Sequence, residues 1–178
     1  IMKKINLEDG TEARGYRKIE ISTQRNYLLG FEFDKKLSLS GVFNAPYDVE
    51  HTAGRESADF IIAPFNPADL ISAPSGSTHF RLINAVAVVA DFVYNATTGT
   101  YEPDDIVNNE LSIVEYSDYI PLNTAYAGST LTATLPGAPT LGANVTGIQC
   151  IGIEFFQEVN TNYYALNSGN CLRIEDAF

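Results

Sequence analysis

Thr130-Leu131-Thr132-Ala133-Thr134-Leu135 sets threonine at every even position and an apolar residue at every odd one. A half-buried antiparallel strand requires that period of two, because successive side chains point to opposite faces of the sheet. Lys18-Ile19-Glu20-Ile21-Ser22 and Leu37-Ser38-Leu39-Ser40 repeat the alternation in shorter form. Residues 28–33, 59–63, 111–116 and 149–156 are rich in β-branched and aromatic side chains, which favour strands. Residues 80–94 are apolar on both faces and too long for one average strand. They predict two strands, or one long strand bent at Asn84 or Asp91. No segment sustains an i, i+3, i+4, i+7 pattern, and only Asn66-Pro67-Ala68-Asp69-Leu70 has the makings of a short helical turn.

Turn signals separate these strands: Asn44-Ala45-Pro46, Ala73-Pro74-Ser75-Gly76, Thr97-Thr98-Gly99, Pro136-Gly137-Ala138-Pro139 and Asn167-Ser168-Gly169. The pattern predicts an all-β fold, an antiparallel β-sandwich of about eight or nine strands, immunoglobulin-like or jelly-roll-like. With 178 residues, 45% of them hydrophobic and 19% charged, the chain has the means to bury a full core in one domain. The apolar run 82–90 is interrupted by Asn84 and falls far short of the roughly 20 residues a membrane-spanning helix needs.

The net charge is −11, from 22 acidic and 11 basic residues. Nucleic acid and anionic membranes both require concentrated Lys and Arg, so neither is expected as a partner. Residues 1–36 hold eight of the eleven bases, and residues 37–178 hold only Arg55, Arg81 and Arg173 against sixteen acids. The division predicted from this is a basic N-terminal arm over residues 1–25 and a β-sandwich over 26–178. Either the arm's charges pair locally, or they attract the acidic body of a neighbouring copy. Residues 37–178 contain no lysine, the commonest guard on exposed strand edges, which favours an assembly or interaction role. Ile1-Met2-Lys3-Lys4 is not followed by an apolar run of roughly 7–15 residues, so it does not read as an intact secretory signal, and the compartment stays open.

Cys150 and Cys171 are the only cysteines. A hairpin turning at Asn160-Thr161 would set them opposite one another, at a separation a disulfide can bridge. A bulge at Ser168-Gly169-Asn170 would instead slip the register and leave two small buried thiols. Two cysteines without accompanying histidines do not make a zinc site. Ser77, His79 and Asp91 contain the residue types of a catalytic triad but lack any nucleophile setting, and His51 reads as part of an exposed turn. Glu102, Asp104, Asp105 and Glu110 form an acidic loop without the spacing of a calcium-binding loop. No cofactor is expected. Of ten tyrosines, Tyr116, Tyr119, Tyr126, Tyr163 and Tyr164 are the candidates for a ligand-facing aromatic platform; the alternative is that they cover the sheet rims with wet hydroxyls.

Gly152-Ile153-Glu154-Phe155-Phe156-Gln157-Glu158-Val159-Asn160, followed by Tyr163-Tyr164-Ala165-Leu166, resembles the end of an uncharacterised bacterial β-sandwich family. Leu29-Gly30-Phe31-Glu32-Phe33 and Ala73-Pro74-Ser75-Gly76-Ser77-Thr78-His79-Phe80-Arg81 fit the same resemblance, in patches across residues 26–174. It implies a longer parent with a basic N-terminal region, and no activity. The expected function is a non-enzymatic structural or interaction module whose partners are other copies of the chain, joined through strand edges or the basic arm. The alternative is a carbohydrate or small-ligand binding module, and the third reading is a hydrolase.

Overall fold

Two long strands, β3 (His79–Ala90) and β9 (Val145–Val159), run antiparallel in unbroken register, from His79 opposite Phe156 to Ala90 opposite Val145. The computed structural model describes all of residues 1–178 and contains eleven strands rather than eight or nine. Part of the excess comes from residues 80–94, which divide at Asp91. The Asp91 carboxylate turns aside to accept the N–H and hydroxyl of Ser22, and β4 (Phe92–Asn95) continues as a separate hairpin with β5 (Thr100–Pro103).

Beyond β3 lie β6 (Ser112–Tyr116) and the short β7 (Ile120–Pro121); beyond β9 lie β10 (Asn162–Ala165) and β11 (Cys171–Ala177). A second antiparallel sheet, in the order β1 (Tyr47–His51), β2 (Ser57–Ile62) and β8 (Ser129–Thr134), contains the stretch that announced the fold. Thr130, Thr132 and Thr134 are exposed there, and Ala133 and Leu135 are buried. Side chains from both sheets share two buried clusters. Phe60 and Ile62 join Phe80, Leu82, Ile151, Ile153 and Phe155 in one, and Ala58, Ala133 and Leu135 join Val86, Val88, Val145 and Phe178 in the other. Even residues of β3 face these clusters and odd residues face away, so the six-stranded sheet has an inner face and an outer face.

The first 44 residues depart from expectation. Leu37-Ser38-Leu39-Ser40 enters a single helical turn, Leu39–Val42, and Ile19 makes one bridge to Phe92 before the chain tightens into a 3₁₀ turn at Ile21–Thr23. Alternation over four or five residues suits a turn with one buried side as well as a strand; a strand also needs a neighbour to take its hydrogen bonds. A helix at Met2–Glu8 was not foreseen, whereas Pro67–Leu70 forms the helical turn anticipated there. None of the helices is long and apolar enough to cross a membrane.

The boundary drawn at residue 25 does not mark a structural break. Ile5, Ile21 and Leu28 are buried against Cys150 and Ile174, on the outer face of the six-stranded sheet. Asp9 helps hold this segment, accepting from the Thr11 hydroxyl and from the N–H groups of Thr11 and Lys18, which pulls its carboxyl down to about 2. The basic segment is therefore packed on its own chain's sheet.

Candidate functional site

The C-terminal hairpin turns at Asn160 and Thr161, both in the left-handed region that a two-residue hairpin loop requires. Tyr163 opposes Glu158 and Tyr164 opposes Gln157, a register that would bring Cys150 and Cys171 together if it continued. It does not continue. Residues 166–170 leave the ladder, and β11 rejoins β9 with Cys171 opposite Ile153 and Ile174 opposite Cys150, a slip of three. An odd slip reverses the faces. Cys171 consequently sits in the main core and Cys150 on the outer face beneath the N-terminal segment; both are free thiols, and burial pushes each up to about 11. The disulfide alternative is corrected by this geometry.

The outer face beyond the N-terminal segment is open, and three of the five candidate tyrosines meet there. Arg81, on β3, lies opposite Glu154 on β9 and donates from Nε to that carboxylate at 2.8 Å. Its guanidinium stacks over the Tyr116 ring at 3.9 Å, with the Phe156 and Tyr119 rings 5.3 and 5.9 Å away. Tyr119 stacks face to face on Tyr163 at 4.0 Å, Phe156 meets Tyr119 edge-on, and His79 meets Tyr163 edge-on. His79 Nε2 is 3.8 Å from Glu158. The Arg81–Glu154 pair is partly exposed, so its attraction contributes no more than ~1 kcal/mol; its larger effect is to fix the guanidinium over the ring. Tyr126 and Tyr164 do not join the cluster. Tyr126 packs edge-on against Phe65, and Tyr164, next to Tyr163 on its strand, projects to the other side.

A groove of about 440 Å³ continues from this cluster across the same face. Ile83 and Ala85 form its floor, Val114 and Tyr116 one wall, Leu172 and Phe33 the other. Gly152, opposite Leu172, lets β11 and the Leu172 wall lie close against β9: a Cβ there would come within 2.6 Å of the Cys171 carbonyl and 2.8 Å of Leu172 Cδ1. Phe33 is placed by a run of backbone bonds in which Gly30 N–H reaches Ile174 O, Ile174 N–H reaches Phe31 O, and Phe33 N–H reaches Leu172 O. Residues 28–33, expected as a strand, thus act as an irregular edge to β11.

Sequence reasoning did not single out His79, Arg81, Glu154, Phe156 or Phe33 as members of this site. Arg81 and Glu154 are 73 positions apart, and only the β3–β9 register brings them together. The candidate triad is not assembled: Ser77 donates to Pro74 O, His79 Nδ1 lies against Thr78 Oγ1, and Asp91 is held by Ser22. In the acidic loop Glu102 is bound by Asn95 and Thr98, and Asp105 by Asn108, contacts that hold both carboxyls below their usual range. No group of three or more His, Cys, Asp or Glu side chains is arranged to hold a metal. What the outer face offers chemically is contact: aromatic faces, a fixed guanidinium–carboxylate pair and an apolar hollow. No family model, curated protein or solved structure matches this chain.

Proposed function

We propose that this chain is a non-enzymatic interaction module and that its working surface is the outer face of the six-stranded sheet. The observation that carries the reading is the continuous exposed surface formed by Phe33, Val114, Tyr116, Tyr119 and Tyr163 around the groove, with Arg81 stacked at its end. Interface cores are enriched in Tyr, Phe and Arg and depleted in Lys, and buried aromatic and Arg side chains supply most of the affinity in such contacts. The Arg81–Glu154 pair offsets the guanidinium's charge within the face, so a partner meets it already paired.

A photo-crosslinking residue in place of Tyr116 tests this against the same residue in place of Thr132, which is exposed on the three-stranded sheet. In purified protein and in extract of the producing cells together, adducts to protein, whether the chain itself or another, are expected at position 116 and not at 132. Equal yields at the two positions would remove the outer face as the working surface.

One arrangement favours carbohydrate as a second reading. The stacked Tyr119–Tyr163 pair stands beside two hydrogen-bonding couples, Arg81–Glu154 and His79–Glu158. A sugar ring needs an aromatic surface and polar groups at its edge, and both are within reach here. A glycan array should then show hits that Tyr163→Ala abolishes, and an array with none ends this reading.

A further inference from the structure

We infer that the partner on this face is a second copy of the chain, joined through the open edge of β6 across a two-fold axis at Val114; the inference rests on the interaction-module reading and names its partner. Ser117 N–H bonds Leu82 O at one end of β6, and Val88 N–H bonds Leu111 O at the other. These bonds set the alternation of the antiparallel ladder between them, so Ile113 and Glu115 exchange hydrogen bonds with β3. The N–H and C=O groups of Ser112, Val114 and Tyr116 therefore point away from β3, and β3 is the only strand that β6 pairs with.

Four of the five residues of β6 are exposed, and Val114 and Tyr116 are each 44% accessible. An edge of this kind is normally blunted by lysine, proline or a bulge. β6 has none of these, and its one charge is Glu115.

The edge is complementary to itself. Antiparallel pairing of two β6 strands about Val114 places Val114 against Val114, Ser112 against Tyr116 and Ile113 against Glu115. All three outward-pointing residues then fall in hydrogen-bonded pairs, so each strand satisfies its N–H and C=O groups on the other. Neither Glu115 faces its counterpart, which avoids the like-charge opposition that destabilises cross-strand pairs. On the outer face Val114 meets Val114 and Tyr116 meets Ser112, so the two grooves and the two Arg81–Tyr116 stacks become parts of one continuous sheet surface. A two-fold contact closes on itself and yields a dimer rather than a fibre. Five-residue strands bury little area, so the dimer should be weak, with Kd on the order of 10 µM.

Sedimentation equilibrium of the full chain over a wide concentration range is the first measurement, and a monomer–dimer equilibrium is expected. Val114→Pro removes only an outward N–H, which an edge strand tolerates, and should weaken the dimer at least about tenfold with an unchanged circular-dichroism spectrum. Should that variant lose its fold, Val114→Lys and Val114→Glu serve instead. Residue 114 meets its own copy on the axis, so each of these variants alone should be monomeric, and an equimolar mixture should recover a heterodimer. A wild-type chain that stays monomeric throughout, or two charge variants that fail to recover association when mixed, would overturn the inference. Crosslinking at position 116 to a different protein, with the purified chain monomeric, would overturn the second copy as partner and leave the interaction-module reading standing.

Discussion

Replacing Phe60 by alanine is expected to lower the unfolding free energy by about 3–5 kcal/mol, the usual range for truncating a fully buried Phe. Phe60 belongs to the three-stranded sheet and is only 1% exposed. Its ring lies edge-on to Tyr47 at 5.4 Å and to Phe43 at 6.2 Å, inside a cluster that also holds Phe80, Leu82 and Phe155 from the other sheet. The cavity would therefore open where the sheets meet, and neither sheet can collapse into it without giving up its own ladder. Domains of this size are stable by roughly 5–15 kcal/mol, so the loss is a large share of the total. In urea titrations the midpoint should fall sharply with an unchanged slope, whereas Val114→Ala, at a position 44% exposed, should move it little. A Phe60→Ala loss under about 1 kcal/mol would mean that the two sheets do not share a packed core.

The shared core was legible in the sequence wherever one face of a strand meets water. Thr130-Leu131-Thr132-Ala133-Thr134-Leu135 alternates because its threonines are solvated and Ala133 and Leu135 are buried, so polarity itself reports the geometry. The turn at Asn160-Thr161 was legible through Asn160, a residue that tolerates the left-handed conformation tight hairpins need; Thr161 adopts it as well, although β-branched residues seldom do. Legibility failed where partners decide. Leu37-Ser38-Leu39-Ser40 has the alternation but no neighbouring strand, and it enters a helical turn instead. Cys150 and Cys171 were separated by a slip of three whose size depends on how residues 166–170 pack, which no local signal encodes. The site was half visible. Tyrosine marked a candidate surface by its chemistry, but the convergence of Tyr116 and Tyr119 on Arg81, with Tyr163 stacked on Tyr119, depends on four strands, β10, β9, β3 and β6, lying side by side. Asn84 and Asp91 were both candidates for a bend in the apolar run 80–94; the chain divides at Asp91, and Asn84 is completely buried within β3.

That asparagine carries the second large effect. Asn84 Nδ2 donates to the Ala58 carbonyl at 2.9 Å and to the Leu131 carbonyl at 2.7 Å, and its Oδ1 accepts from Gln149 Nε2 at 2.9 Å. Gln149 Nε2 also donates to Asp59 O, so two side chains of the six-stranded sheet grip three carbonyls of the other sheet. Asn84→Leu should cost about 2–4 kcal/mol, because it removes three buried bonds and takes from Gln149 one of its two acceptors. Gln149→Leu should cost less, since it also removes Oε1, which has no hydrogen-bond partner. In the double variant no stranded amide remains, so its loss should fall short of the sum of the singles by about 1–2 kcal/mol. Near-zero effects of both single changes, by urea titration, would remove the network from the account of stability. A stable double variant would also isolate what the pair does beyond energy. The inner face of β3 reads Phe80, Leu82, Val86, Val88 and Ala90 on either side of Asn84, so a slide of two residues against the opposite sheet would keep every apolar side chain inward. Only the two amides would then lose their carbonyls. If the Asn84 and Gln149 amides select one apolar register, the double variant is expected to remain folded and to show extra amide resonances from slipped states, where the wild type shows one set.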